Sequence, residues 1–136
     1  MARVIVLDAG VLIGYLDATD AHHDTAIELL EQEAPPFLTH RLTLAEVLVG
    51  PARRGREDQV LRDLYSIGVT QAESWSDEPI ELARMRAEWG LKMPDTCVLV
   101  TAQHHDCELA TFDKQLAKVA AREAVLHPAL RALAAG

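Results

Sequence analysis

Four carboxylates in this chain stand at the ends of elements rather than along exposed helical faces: Asp8, Glu46, Asp95 and Asp113. Asp8 closes the apolar run Val4-Ile5-Val6-Leu7. Glu46 is expected in the first turn of a helix after a short second strand. Asp95 follows Pro94 at a helix start, and Asp113 comes just after a fourth strand. Gathered together, such groups repel one another unless they are protonated or bridged by a cation. An all-oxygen donor set suits Mg²⁺ or Mn²⁺, hard ions that keep several waters and accept phosphate oxygens as further ligands. Such an ion activates water and stabilises charge on phosphorus during in-line displacement. No set of His and Cys residues has zinc spacing.

Each acid also has a plain structural reading. Thr43-Leu44-Ala45-Glu46 is a capping-box sequence, in which Glu46 would bond back to the Thr43 amide. Asp95 beside Pro94 favours the dipole of the helix it opens. Asp113 suits a helix N-cap, and Asp8 suits a bond to a neighbouring loop amide. These roles are compatible with metal chemistry.

The elements must bring the acids together. Val4–Leu7 shows no alternation, as expected of a strand buried on both faces in a parallel sheet. Gly10 leads into a short helix, Ala9–Leu16. Asp20 is expected to cap a helix over Ala21–Glu33, with Ile27 and Leu30 inward, stopped by Pro35-Pro36. Strand Phe37–His40, helix Thr43–Gly50 closed by Gly50-Pro51, helix Glu57–Ser66 and strand Ile67–Gln71 follow. Asp77 and Pro79 open a helix that puts Leu82, Met85 and Trp89 on one face and ends at Gly90. A helix from Pro94-Asp95 to about His105, strand Glu108–Thr111, helix Asp113–Arg122, a short strand at Val125-Leu126 and a terminal helix Ala129–Ala134 complete the series. Strands alternating with helices predict a parallel sheet with right-handed crossovers. In such sheets the strand C-termini and helix N-termini share one edge, where ligands collect.

Composition narrows the class. At 136 residues, 49% apolar and 25% charged, the chain is expected to form a single domain over 1–136 with a substantial core. No apolar run reaches a membrane span and the start lacks a signal-peptide profile, so the expected location is the cytoplasm. Cys97 and Cys107 read as reduced core thiols. The net charge of −8 argues against bulk coating of nucleic acid but leaves room for a metal-dependent nuclease. Arg53, Arg54 and Arg56 form a local basic cluster, read first as a solvated loop and second as a phosphate contact.

The motifs Val6-Leu7-Asp8-Ala9 with Val11-Leu12-Ile13, Leu44-Ala45-Glu46-Val47, Pro94-Asp95 and Thr111-Phe112-Asp113 together resemble the PIN-domain pattern, in order and across nearly the whole chain. The short length and Glu46-Val47-Leu48-Val49-Gly50 look most like its VapC toxin branch. The resemblance implies an α/β fold: a PIN-like three-layer sandwich with a central, mainly parallel four- to five-stranded sheet flanked by helices. It implies an endoribonuclease dependent on Mg²⁺, with Mn²⁺ as a substitute, acting on tRNA or rRNA. A small VapB-type antitoxin would inhibit it by placing its tail in the acidic groove. A homodimer is implied, with promoter DNA bound only through the antitoxin and no membrane partner.

By carry-over, Asp8, Glu46, Asp95 and Asp113 match the acidic quartet, and Thr111 matches a hydroxyl position near the site. Asp8 and Asp95 would hold the principal metal, with Asp113 as a ligand directly or through water. Glu46 would orient or deprotonate the attacking water, or help bind a second metal. Gly10 is a departure, because the family often carries Ser, Thr or Asn there. Alternatives are a PIN-fold binding module without catalysis and a PIN nuclease outside any toxin system. A signalling receiver domain fits poorly: the third strand ends Val69-Thr70-Gln71, without the acid that such a domain phosphorylates.

His22-His23 and His104-His105 are adjacent pairs on helices, whose side chains diverge, so chelation is not expected. His104 and His105 are expected to meet the terminal carbonyls of their helix. Lys114, Arg84 and Arg86 are read as solvated, and Trp75 as lying in a polar stretch.

Overall fold

The computed structural model describes residues 3–135. Its centre is β1 (Ile5–Leu7), which pairs in parallel with β2 (Phe37–Thr39) on one side and β4 (Glu108–Ala110) on the other. Ile5 stands opposite both Phe37 and Glu108. Outside β2 lies β3 (Val69–Gln71), also parallel, so the four-stranded sheet runs β3-β2-β1-β4. The unbroken apolar run of β1 has the expected cause. Ile5 and Leu7 enter one core cluster and Val6 the other, so the strand is covered on both faces.

On the first face, the core draws Val11 and Leu12 from α1 (Ala9–Leu16) and Leu29 and Leu30 from α2 (His23–Gln32). Leu44 and Val47 of α3 (Arg41–Val47) and Leu64 of α5 (Glu57–Ser66) close it. On the second face, Val98, Leu99 and Ala102 of α7 (Met93–His104) meet Leu116, Val119 and Ala120 of α8 (Lys114–Arg122). Each buried Leu contributes on the order of 1.5–3 kcal/mol. Helix α6 (Glu78–Trp89) packs along α7, with Met85 and Trp89 against the second cluster and Gly90 ending it at φ 68°. This is the three-layer α/β architecture expected, with every strand of the sheet parallel.

Several boundaries differ from the sequence reading. Asp20 does not cap α2; its Oδ1 accepts from the His22 amide, forming a turn, and α2 begins only at His23. Within α2, Leu30 is buried as expected and Ile27 only half-buried. Gly50-Pro51 does not end a helix. The chain breaks at Leu48, and α4 (Val49–Arg53) takes Pro51 into its first turn, where a missing N–H is harmless. The fifth strand is reduced to one bridge, Leu126 beside Leu109. The terminal segment splits into a 3₁₀ turn (Pro128–Leu130) and α9 (Arg131–Ala134). Cys97 and Cys107 are free and buried, and burial pushes both thiols up.

Candidate active site

β1 delivers Asp8 to the carboxyl edge of the sheet, where its amide donates to the Ala110 carbonyl at 3.0 Å and ties it to β4. Asp8 is also the N-cap of α1: Oδ1 accepts from the Ala9 amide at 2.8 Å. Its other oxygen, Oδ2, accepts from the Thr111 hydroxyl at 2.7 Å. Thr111 is fully buried, and its Oγ1 accepts in turn from the Asp113 amide at 3.0 Å. Asp113 caps α8 through Oδ1, which accepts from Leu116 at 2.8 Å. The plain structural readings of Asp8 and Asp113 are therefore met. An ionised carboxylate has about four acceptor sites, so both retain free lone pairs.

Asp95 lies in the first turn of α7, half-buried. Its carboxyl is pushed up to about 6, first by burial, then by the charges of Asp8 and Asp113; Glu46 adds to this, while Lys92 opposes it. Asp8 is also raised, chiefly by burial, against the pull of its bonds from Thr111 and Ala9 and with further repulsion from Asp113 and Glu46. The four acids thus share one electrostatic field.

Glu46 reaches that field from a different place than expected. It is exposed and sits in the last turn of α3, not the first, and the capping box is absent. His40 takes the cap instead: its Nδ1 accepts from the Leu42 amide at 3.1 Å. Its Nε2 donates to Glu78 Oε2 at 2.7 Å, and both residues are buried. Thr43, displaced into the helix, is itself buried. A His two residues before an amide donor carries no familiar cap signature, and the sequence offered no signal for its partner Glu78.

The donor set matches a hard divalent ion, being all oxygen and mutually repelling. Among the described residues, no three Asp, Glu, His or Cys side chains close into a cation cage. Mg²⁺ does not require one, since it is commonly held by one or two carboxylates and several waters. The residues present fit such an ion. At Gly10 a Cβ would meet nothing within 4 Å, so the departure leaves open space.

The family model described as PIN domain matches residues 5–122. The chain belongs to the PIN domain family. Ribonuclease VapC29 of Mycobacterium tuberculosis is 30% identical over 130 residues, spanning 91% of this chain and 96% of that protein. A toxin-antitoxin complex from Klebsiella pneumoniae superposes with a TM-score of 0.71 at 26% identity, covering 81% of this PIN domain chain and 87% of its own. Mycobacterium tuberculosis VapC20, a Sarcin-Ricin loop cleaving toxin, shares the fold with a TM-score of 0.67 at 18% identity, covering 85% and 94%.

The histidine pairs of this PIN domain do not chelate. His23 Nδ1 donates to the Gly14 carbonyl at 2.7 Å, while His22 stacks on Phe112. His104 does not meet its helix carbonyls through its ring; it lies flat on Trp75, centroids 3.7 Å apart, with Nδ1 3.7 Å from Glu81. Trp75 donates to the same carboxylate.

Proposed function

We propose that this PIN domain is a divalent-metal-dependent endoribonuclease, the toxin of a type II toxin–antitoxin pair, acting on tRNA or rRNA in the cytoplasm. The observation that carries the reading is the sheet edge itself, where Thr111 ties Asp8 to the amide of Asp113, and where burial first, then the charges of Asp8, Asp113 and Glu46, push Asp95 up to about 6. Asp8 and Asp95 would hold Mg²⁺ or Mn²⁺, with Asp113 reaching the ion directly or through water. The ion, when bound, supplies an activated water and charge stabilisation at phosphorus. Asp8 is oriented by Thr111, and Asp113 is fixed by its cap to α8, so two carboxylates keep their geometry before substrate arrives. Glu46, exposed at the end of α3, orients or accepts a proton from the attacking water. The products would be a 5′-phosphate and a 3′-hydroxyl.

A cavity of about 520 Å³ opens beside Glu46, between the end of α1 and the α3–α4 junction. Ile13, Leu16, Val47 and Pro51 give it apolar walls, and Glu46 and Asp17 give it two acids against the one cation of Arg54. That lining suits an apolar antitoxin tail bearing a basic side chain, which would reach the carboxylates. The assembly follows the toxin reading: a homodimer, with promoter DNA contacted through the antitoxin.

The test is cleavage of total tRNA and ribosomal RNA by antitoxin-free protein with Mg²⁺, Mn²⁺ or EDTA, beside a folded Asp95→Asn variant. Discrete metal-dependent cuts that vanish in the variant are expected. Full-rate cleavage by Asp95→Asn with the same metal would sink the assignment. No cleavage of free RNA or intact ribosomes would favour a binding module.

A further inference from the structure

The turn between β4 and α8 carries more than two polar residues of the site. Thr111 is clamped to Asp8 on one side and to the Asp113 amide on the other. Phe112, between them, is therefore as fixed as the carboxylates it separates. Its ring is half-buried and packs on the first core cluster. The imidazole of His22 covers that ring, with centroids 4.7 Å apart and planes 24° from parallel.

His22 itself is exposed. Its backbone is anchored at both ends: the amide donates to Asp20 Oδ1 at 2.8 Å and the carbonyl accepts from Ala26 at 2.9 Å. Its ring makes no capping bond to α2, in contrast to neighbouring His23, whose ring is committed to Gly14. An aromatic ring with one face on a fixed phenyl and the other toward solvent is a stacking surface. The Cα of Phe112 is one chain step, about 3.8 Å, from that of Asp113. The surface thus stands on the same turn between β4 and α8 as Asp113, at the edge of the sheet where the acids gather. Single-stranded RNA is read largely by stacking of splayed bases on such rings.

We propose that His22, backed by Phe112, is a nucleobase-stacking platform that positions the RNA strand beside the carboxylates. The inference rests on the ribonuclease reading, and names a residue that binds substrate without touching the reacting atoms. An acidic chain gains little from phosphate attraction, so base stacking is where its substrate affinity would arise.

The test titrates short oligoribonucleotides carrying 2-aminopurine at successive positions with the full chain in Ca²⁺, an oxygen-seeking ion that can bridge phosphate to the acids, with strand integrity checked on a gel of the same samples. Stacking quenches the fluorescent base. Wild-type protein and His22→Phe are expected to quench one position. His22→Leu, which keeps the apolar cover on Phe112, and His22→Ala should lose the quench and about fivefold or more in affinity. Matched thermal midpoints for His22→Leu and wild type exclude a folding effect. Unchanged affinity in His22→Leu, or no quench by wild type at any position, would overturn the platform. Cleavage of total tRNA by the same proteins reads the nuclease assignment separately: cutting without a stacking signal removes only the platform. A stacking signal without cutting removes only the nuclease.

Discussion

The acids of this PIN domain fall into two pairs that are held in opposite ways. Asp8 and Asp113 sit at the ends of β1 and beyond β4, and each bonds a backbone amide as a helix cap. Glu46 and Asp95 ride on α3 and α7, one exposed and one half-buried, and reach the same field from solvent-facing turns. The first pair holds the framework together as well as facing the proposed site. The second pair caps no helix, and a bound cation would relieve the cost that burial and the neighbouring acids impose on the Asp95 carboxylate. Stability and chemistry should therefore separate between the pairs under substitution.

The largest effect is expected at Asp8. Asp8→Ala removes the cap on Ala9 and leaves the buried Thr111 hydroxyl without its acceptor, at a cost of about 1–2 kcal/mol. It should also abolish cleavage. Urea denaturation of Asp8→Ala beside Asp8→Asn, which retains an acceptor, measures the framework share. Equal stability in wild type and Asp8→Ala would erase the distinction between the pairs.

Asp95→Asn should abolish cleavage while moving stability the other way. The folded carboxyl sits at about 6, against about 3.9 in the unfolded chain. Between those values the folded state binds more protons, so metal-free stability falls as pH rises through about 4 to 6. The substitution removes that decline, leaving the slope due to Asp8. At pH 7 a gain of about 1 kcal/mol is expected, limited because solvent screens a half-exposed group. With Mg²⁺ present the order reverses. Metal stabilisation of the wild type should grow as pH rises through about 6 and be weak in the variant, as thermal melts across pH would show.

The contrast also explains what was legible in the sequence. β1 and its acid announced themselves because a strand covered on both faces must be apolar throughout, and the carboxylate that ends it stands out. Asp113 was equally plain, since a cap and a candidate ligand call for the same residue. Glu46 was misplaced by a turn of its helix. Thr43 and Glu46 have capping-box spacing, yet α3 begins earlier because the buried His40–Glu78 pair supplies the cap from a contact 38 residues away. Gly50-Pro51 misled for a related reason: a proline is a stop signal in mid-helix but is tolerated in a first turn, and only the break at Leu48 makes it one. Local spacing was sufficient where a neighbour in the chain decides the structure, and failed where a distant side chain does.

Glu46→Gln tests the second pair at its exposed member. Glu46 caps nothing, so thermal stability should change by less than about 0.5 kcal/mol. If the group positions or deprotonates water, kcat should fall by about 100-fold with KM little changed. Steady-state kinetics on a purified RNA substrate would show this. A raised KM with unchanged kcat would place Glu46 in RNA or antitoxin contact instead.

The smallest effect is expected at Gly10, where a helix effect and an effect on Asp8 can be told apart. It is exposed in the first turn of α1, directly after the Asp8 cap, and a Cβ there has open space. Gly10→Ser should therefore fit without displacement and stabilise α1 by about 0.5 kcal/mol through helix propensity. Its hydroxyl would also stand near the Asp8 carboxylate, the polar contact that the resemblance leads one to expect and this chain lacks. If second-layer hydrogen bonding is what that position supplies, Mg²⁺ affinity should rise a few-fold, with the gain lost in Asp8→Asn/Gly10→Ser. Isothermal titration of metal into the four proteins of that cycle would decide it. A gain in stability with no change in metal affinity would show that the hydroxyl acts only on the helix, and that Asp8 is already fully oriented by Thr111.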